Sequence, residues 1–547
     1  MKSAIRNSKS KRSLKSELPS PAVQLGTHSN CRSDNNEHEA IPVIWPSDFG
    51  LRTSAFLRIS AFGFRILPLL LAGCAVGPNY ERPAALGTNA IPPAFSGAVP
   101  TNAGIWKPAQ PSAHLPRGAW WELFGDPELN RLELLATANN QQLAAAFANL
   151  QQARALVSVA RAGFFPQIST TPEVIRQRTS ANQSRGSGAS TYNTFSVPFD
   201  ASWELDLWGR VRRTVESAQA GLAASADDLE SSKLAIQAEV AIDYFTLRSL
   251  DAQARVLAET TVAYRRSLEL TQNRRKGGIA TELDVSLAET QLASTEAQIP
   301  AVELQRADAL HALATLCGQP AIAFQIEAAT DALAGAERAF IAGPGIPLEV
   351  PSELLEHRPD IAAAERRVAA ANADVGVACA AFYPRVMING LAGFQSVDAA
   401  TLFNWESRVW SVGPSLSLPI FTGGRNRAQL AAARANYDAT VANYRQIVLS
   451  AFQEVEDKLA TQRLLAQQLE KENAALKSAR RTLDISLTKY KGGVITYLEV
   501  AITQSSALSH EQTVVQLEGE RLASTVSLIK ALGAGWNASP ETRSESQ

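Results

Sequence analysis

The sequence predicts an α+β membrane protein, a tandem-repeat protomer in which long antiparallel helices carry two β-hairpins. Three observations lead to this class. The chain matches itself at a separation of 215 residues. Two very long runs, 222–276 and 425–491, contain neither Gly nor Pro. Before each run stands a pair of strand-like segments separated by polar loop residues.

The repeat is the firmest of the three. "RRSLELTQNRRKGGIATELDV" from Arg265 and "RRTLDISLTKYKGGVITYLEV" from Arg480 share nine identities in 21 positions. "LWGRVRR" (207–213) corresponds to "TGGRNRA" (422–428), and Glu239-Val240 to Glu454-Val455. At nearly the same offset, "AGFFPQIST" (162–170) resembles "AAFYPRVMI" (380–388). A shared order of parts over such a length marks a duplicated unit.

Each unit presents its elements in the same order. A helical segment comes first, Glu128 to Ala162 in one copy and Pro359 to Ala381 in the other. Pro166 or Pro384 ends it, and a hairpin follows. In the first copy "PQISTTPEVIRQR" and "TFSVPFDASWELD" flank the loop 181–193; in the second, "RVMINGLAGF" and "SRVWSVGPSLSLPIF" flank "SVDAATLFNW". Strands of about ten residues suit a tilted crossing of a bilayer. Alternation is clearest where Val409, Ser411, Gly413 and Ser415 oppose Trp410, Val412, Leu416 and Leu418. The Gly- and Pro-free runs then predict helices of about 80–100 Å, too long for a globular domain. Their apolar spacing is helical: Ile236, Val240, Tyr244, Leu247 in one run and Val448, Phe452, Val455, Leu459 in the other. Each run ends at Lys-Gly-Gly, and a return helix follows, Ala280 to Ile299 or Ile495 to Glu518.

Four strands cannot close a barrel, and in lipid every backbone polar group needs a partner. Hairpins that cross a membrane therefore require several chains to pool their strands. A trimer supplies twelve, enough for a transmembrane barrel wider than one packed shut by its own side chains. Helices of the same three chains would continue it as a tunnel.

The N-terminal region reads differently. Residues 1–50 are rich in Lys, Ser and Asn without apolar period and read as a disordered extension. Residues 51–73 have the form of a lipoprotein signal peptide, with Arg52, Arg58 and Arg65 before the apolar run Ile66–Ala72. Leu71-Ala72-Gly73-Cys74 looks like a lipobox, with Cys74 as the acylated residue; a chance match on a buried helix is the alternative. A signal of ordinary length predicts translation starting near Leu51. The remaining divisions are an N-terminal lipid-anchor segment (74–118), a first repeat (119–335), a second repeat (336–533) and a disordered tail (534–547).

Composition excludes more than it assigns. The net charge is −1, and residues 74–547 carry a mild acidic surplus, so no nucleic-acid partner is indicated. Of four cysteines only Cys317 and Cys379 lie in the repeats; they read as two buried thiols, or as a pair in an oxidising compartment. No apolar run reaches the length of a transmembrane helix. The six histidines are scattered, no HExxH, Walker A or GxGxxG motif occurs, and Asp126 with Glu128 beside Trp120 and Trp121 is weak support for a glycosidase pair. The expectation is no enzyme, no metal and no cofactor.

At this point the chain resembles the outer-membrane efflux proteins of the TolC and OprM type, in particular the NodT-like lipoprotein branch. The resemblance spans residues 74 to about 533. It rests on "CAVGPNYERP", "WWELFGDPELNRL" (120–132), "SWELDLWGRVRR" (202–213), "VPSELLEHRPDIAAAE" (350–365) and the two Lys-Gly-Gly turns. It implies a homotrimer in the outer membrane of a Gram-negative bacterium, with a twelve-stranded barrel, a twelve-helix periplasmic tunnel and a mixed equatorial region. It also implies passive conduction of small molecules delivered by a periplasmic adaptor and an inner-membrane pump of the proton-driven RND type. An exit duct for protein secretion driven by an ATP-driven exporter is the alternative. A soluble coiled-coil scaffold leaves the hairpins and the lipobox unexplained.

The resemblance places Lys276, Gly277, Gly278, Lys491, Gly492 and Gly493 at the periplasmic tips, where an adaptor docks. Read from the residues alone, these are helix ends in which glycine supplies positive φ and lysine faces the helix dipole. Leu283, Asp284, Leu498 and Glu499 fall where the family closes its tunnel; read alone, the acids are ordinary first-turn residues. Relatives often carry Asp three positions after the Glu499 position. Here Ile502 stands there, which favours a leucine plug over an acidic ring.

Overall fold

The computed structural model describes residues 75–86, 118–182, 189–329, 333, 335–336 and 357–534, which belong to one compact unit. Cys74, the signal segment 51–73, the extension 1–50 and the tail beyond 534 lie outside the described residues, as does most of the predicted boundary between repeats near 335.

A 3-10 turn, Trp120–Phe124, precedes α1 (Pro127–Asn139). Asp126 caps α1 by accepting from Glu128 N at 2.9 Å and Leu129 N at 3.2 Å, and Pro127 occupies the first turn, where no N–H is missed. The first helical segment is not continuous as the sequence suggests. Asn140 leaves helical geometry at ψ 126° and caps α2 (Gln141–Ala162) through Gln142 N and Leu143 N. Its Nδ2 donates to Leu316 O at 2.8 Å. A polar side chain bonding to backbone has taken over from the apolar period.

The first hairpin consists of β1 (Gln167–Thr170), β2 (Glu173–Arg178) and β3 (Thr191–Leu205). β1 and β2 are one strand line interrupted at Thr171-Pro172, and both pair with β3. The long helix α3 (Arg210–Lys276) follows, then α4 (Glu282–Glu296) and α5 (Gln298–Leu316). In the second copy α6 (Pro359–Ala380) leads to β4 (Arg385–Ser396), β5 (Arg408–Ser417), α7 (Arg425–Lys491) and α8 (Tyr497–Ala531). α3 and α7 have 67 residues each, about 100 Å at 1.5 Å per residue. The return helices differ between copies. Pro300, which has no N–H for the carbonyl of Glu296, accompanies the break between α4 and α5, whereas α8 lacks proline and runs unbroken for 35 residues.

The predicted periodicity marks the core. Ile236, Val240, Tyr244 and Leu247 are buried against the 3-10 turn, α1, α5 and α8. Val448 and Val455, with Phe452 and Leu459 partly buried beside them, pack on α6 and the end of α8. Cys317 and Cys379 are buried and are not disulfide-bonded, and burial pushes the Cys317 thiol up to about 11.

The "GPNYERP" stretch owes its composition to a docking groove. Val76 N donates to Trp208 O at 3.0 Å, Arg213 Nη2 to Asn79 Oδ1 at 3.0 Å, and Tyr80 OH to Glu365 Oε1 at 2.7 Å. At Gly77, with φ +98°, a Cβ would lie 2.6 Å from Gly376 Cα, so only glycine fits this crossing.

The two hairpins join into one antiparallel sheet through β3 and β4, in the order β1/β2–β3–β4–β5. Its faces are chemically distinct. Paired residues share a face, so the register Phe199↔Ala392↔Trp410 and Leu205↔Val386↔Leu416 assigns one face mostly to apolar side chains, including Ile168, Val174, Ile388 and Val412, with Arg176, Arg178 and Arg408 on it at the loop end. The opposite face carries Ser169, Asp200, Ser202, Asn389, Ser411 and Ser415, with Ile175, Pro198, Met387, Leu391 and Val409 as apolar exceptions. Trp410 is 73% exposed and Leu416 68%. No helix among the described residues is long and apolar enough to cross a membrane.

Candidate functional site

The two Lys-Gly-Gly tips have one geometry. In each, the second glycine is left-handed, Gly278 at φ +72° and Gly493 at +73°, while Gly277 and Gly492 stay near −80°. Positive φ was expected at all four; two suffice because each helix closes by a Schellman motif. Gly278 N donates to Arg275 O at 2.9 Å and Ile279 N to Arg274 O at 2.9 Å; Gly493 N donates to Tyr490 O at 2.9 Å and Val494 N to Lys489 O at 3.0 Å. Lys276 and Lys491 are the exposed last residues of α3 and α7.

Arg274 joins the two tips, and sequence reasoning missed it. Its Nη1 donates to Lys491 O at 2.9 Å and its guanidinium lies 4.8 Å from the centre of the Tyr490 ring. The corresponding residue of the second copy is Lys489, so the repeat itself concealed this asymmetric contact.

Just beyond the tips the copies diverge again. Asp284 accepts from Thr281 N at 2.9 Å and from Thr281 Oγ1 at 2.8 Å, forming a capping box, and from Tyr497 N at 3.3 Å, which ties α4 to α8. Burial pushes the Asp284 carboxyl up, but the Thr281 and Tyr497 hydrogen bonds and nearby Arg274 outweigh it and hold it below the ordinary range. The matching Thr496 makes no side-chain cap, and Glu499 is exposed. Leu283 is 66% exposed and Leu498 50%, both in the first turn of a return helix.

Between tips and sheet a half-buried polar contact ties α1 to α3. Tyr244 OH donates to Asp126 Oδ2 at 2.6 Å, so the Asp126 expected near the tryptophans serves as cap and tether. Glu128 pairs with Arg131 at 2.6 Å on the same helix. Trp120, Trp121 and Phe124 are buried in the main core.

Comparison with known proteins agrees with this construction. The family model described as outer membrane efflux protein matches residues 134–319 and 350–534, one segment per repeat. The chain belongs to the outer membrane efflux protein family. The outer membrane protein OprJ of Pseudomonas aeruginosa is 32% identical over 488 residues, 88% of this chain and 97% of OprJ. The pyoverdine export outer membrane protein OpmQ of the same organism is 35% identical over 426 residues, 77% of this chain and 88% of its own. The solved outer-membrane channel OprN superposes with a TM-score of 0.74 at 31% identity, covering 85% of this chain and all of OprN. The chain is thus an outer-membrane efflux channel component and not an enzyme.

Within an outer membrane efflux protein, Glu133 of α1 is conspicuous. It is fully buried, like Leu129, Leu132 and Ala136 of the same helix; among the described residues neither carboxylate oxygen has a hydrogen-bond partner, and burial pushes its pKa well above the ordinary value. Because the folded pKa is raised, its contribution to stability is complete below about pH 4.3, where the unfolded chain also holds the proton, and is lost as pH rises toward the folded value. Glu133→Met is expected to stabilise the protein at pH 7 by about 1–3 kcal/mol and to remove this part of the pH dependence. Thermal unfolding in detergent at pH 4 and pH 7 measures both; a destabilised variant at pH 7 contradicts it.

Proposed function

We propose that three copies of this chain close a twelve-stranded barrel in the outer membrane and conduct small molecules released to them by a periplasmic adaptor and an RND-type inner-membrane pump. The observation that carries this reading is the sheet. One exposed apolar face, one polar face and two open edges, β1/β2 and β5, make an arrangement whose backbone groups find partners in lipid only by pairing with further copies. Four strand lines per chain give twelve in a trimer, with the apolar face toward lipid and the polar face toward the conduit. Exposed aromatics at both ends of the sheet, Phe165 and Phe421 at the helix end and Phe403 and Trp405 at the loop end, would serve such a barrel as interfacial girdles.

Acylation of Cys74 fits the same frame. A Cβ at Gly209, the residue before α3, would lie 2.8 Å from Ala75 Cα, at the base of the sheet. An acyl chain on the preceding residue would enter the membrane there. The tips carrying Lys276 and Lys491 would then project into the periplasm as the adaptor contact, and Leu283 and Leu498 would form the constriction, with Asp284 committed to its cap.

Photo-crosslinking in intact cells, with the reactive group beside Lys276 or Lys491, tests this. The expected result is capture of a periplasmic adaptor together with a proton-driven pump. Capture of an ATP-driven exporter instead would move the cargo to secreted proteins, and capture of neither would remove the tips from the docking end.

A further inference from the structure

The junction of sheet and long helices contains a cleft of about 360 Å³ that the duplicated sequence has made electrically asymmetric. In the first copy two acids neutralise two arginines. Glu204 accepts from Arg210 Nε and Nη2 at 2.8 and 2.7 Å, and Asp206 accepts from Arg212 Nε at 3.2 Å. At the 215-residue offset Arg210 and Arg212 become Arg425 and Arg427, but Glu204 and Asp206 become Pro419 and Phe421. The second copy has kept the cations and lost their partners. Arg425 is exposed, lines the cleft and forms no ion pair among the described residues. Among the described residues Arg385, on the polar face of β4 and 56% exposed, has one ion-pair contact, 3.6 Å to Glu204, which is already held by both Arg210 nitrogens.

The same cleft has an aromatic wall. Trp208 and Tyr383 stack with ring centres 4.9 Å apart and planes 28° apart, and Trp208 Nε1 donates to Pro384 O at 2.8 Å, which fixes the indole. Planar guanidinium forks match a carboxylate in a way lysine does not, and a fixed aromatic wall suits an aromatic body. We propose that this cleft is a transit site for small aromatic carboxylates, held by Arg385 and Arg425 as they pass from the helical part of the conduit into the barrel. This rests on the conduit reading above. In a trimer the site recurs three times around the passage, as a positive collar that raises the local concentration of anions.

The test is conductance in planar bilayers with the purified full chain, in KCl gradients and with benzoate as probe, benzylammonium serving as its cationic counterpart. Wild-type channels are expected to prefer chloride over potassium and to be partly blocked by benzoate but not by benzylammonium. In Arg385→Ser/Arg425→Ser the chloride preference is expected to fall at least about twofold and the benzoate block to disappear. Pro419→Glu/Phe421→Asp restores the missing acids while keeping both arginines, and is expected to do the same. Arg385→Lys/Arg425→Lys is expected to keep the chloride preference and weaken the block. Unchanged selectivity and block in both charge-neutralised variants would overturn the site while leaving the conduit standing. Absence of ion current in wild type and also in the leucine variant considered below would overturn the conduit reading, and the site with it.

Discussion

Asp251→Ala is expected to destabilise the protein by about 3–5 kcal/mol, because it strands two arginines around a buried anion that has disappeared. Asp251 is buried, accepting from Arg248 Nη1 at 2.9 Å through Oδ2 and from Arg306 Nε at 2.6 Å through Oδ1. Those arginines in turn hold the chain after α5: Arg248 Nη1 donates to Glu327 O at 2.6 Å and Arg306 Nη2 to Ile326 O at 3.0 Å. Ala329 N donates to Asp251 Oδ2 at 3.3 Å and completes the clamp. Thermal unfolding in detergent measures the loss, and limited proteolysis is expected to cut near residues 321–329 first. Replacing the three charges together, Arg248→Met/Asp251→Leu/Arg306→Met, is expected to recover most of the stability, since the penalty arises from unpaired charge rather than from loss of a strong bond. A single variant as stable as wild type would refute this account.

The second large effect concerns conduction. If Leu283 and Leu498 form the constriction proposed above, Leu283→Ser/Leu498→Ser is expected to raise single-channel conductance about tenfold, as an apolar ring that excludes water becomes wettable. Three structural observations favour leucine over acid here. Asp284 spends its oxygens on Thr281 and Tyr497. Leu283 and Leu498 project from the first turns of α4 and α8. Ile502, one turn beyond Leu498 on the same side, is 60% exposed and extends the apolar stripe. Planar-bilayer recordings at pH 7 supply the measurement. Little change in the leucine variant together with a large rise in Glu499→Gln would place the barrier at the acid instead.

Much of this protein is written in its sequence because each piece depends on local periodicity. The run 425–491 became α7 and the run 222–276 most of α3, which starts twelve residues earlier at Arg210 and accommodates Gly221; both C-termini coincide with the Lys-Gly-Gly turns, since only a residue tolerant of positive φ closes a helix so sharply. The alternation in β5 sorted its side chains onto two faces because the strand period is two. The duplication was visible for the same reason: identical local rules gave both units the same series of parts.

Tertiary structure decided what repetition could not. Asn140 divides the first helical segment because its side chain caps α2 while reaching Leu316 of α5, a partner 176 residues away. Arg274 bridges the tips although its counterpart Lys489 does not, and Thr281 and Asp284 close a capping box that Thr496 and Glu499 leave open. Arg425 stands without the acid that neutralises Arg210, a difference whose consequence depends on Arg385 and Trp208 converging on the same cleft. Helix, turn and strand arise from interactions a few residues apart, which the order of residues states directly. Charge pairing and capping across elements depend on which side chains the fold brings within about 3 Å, and that distance exists only once the chain has packed.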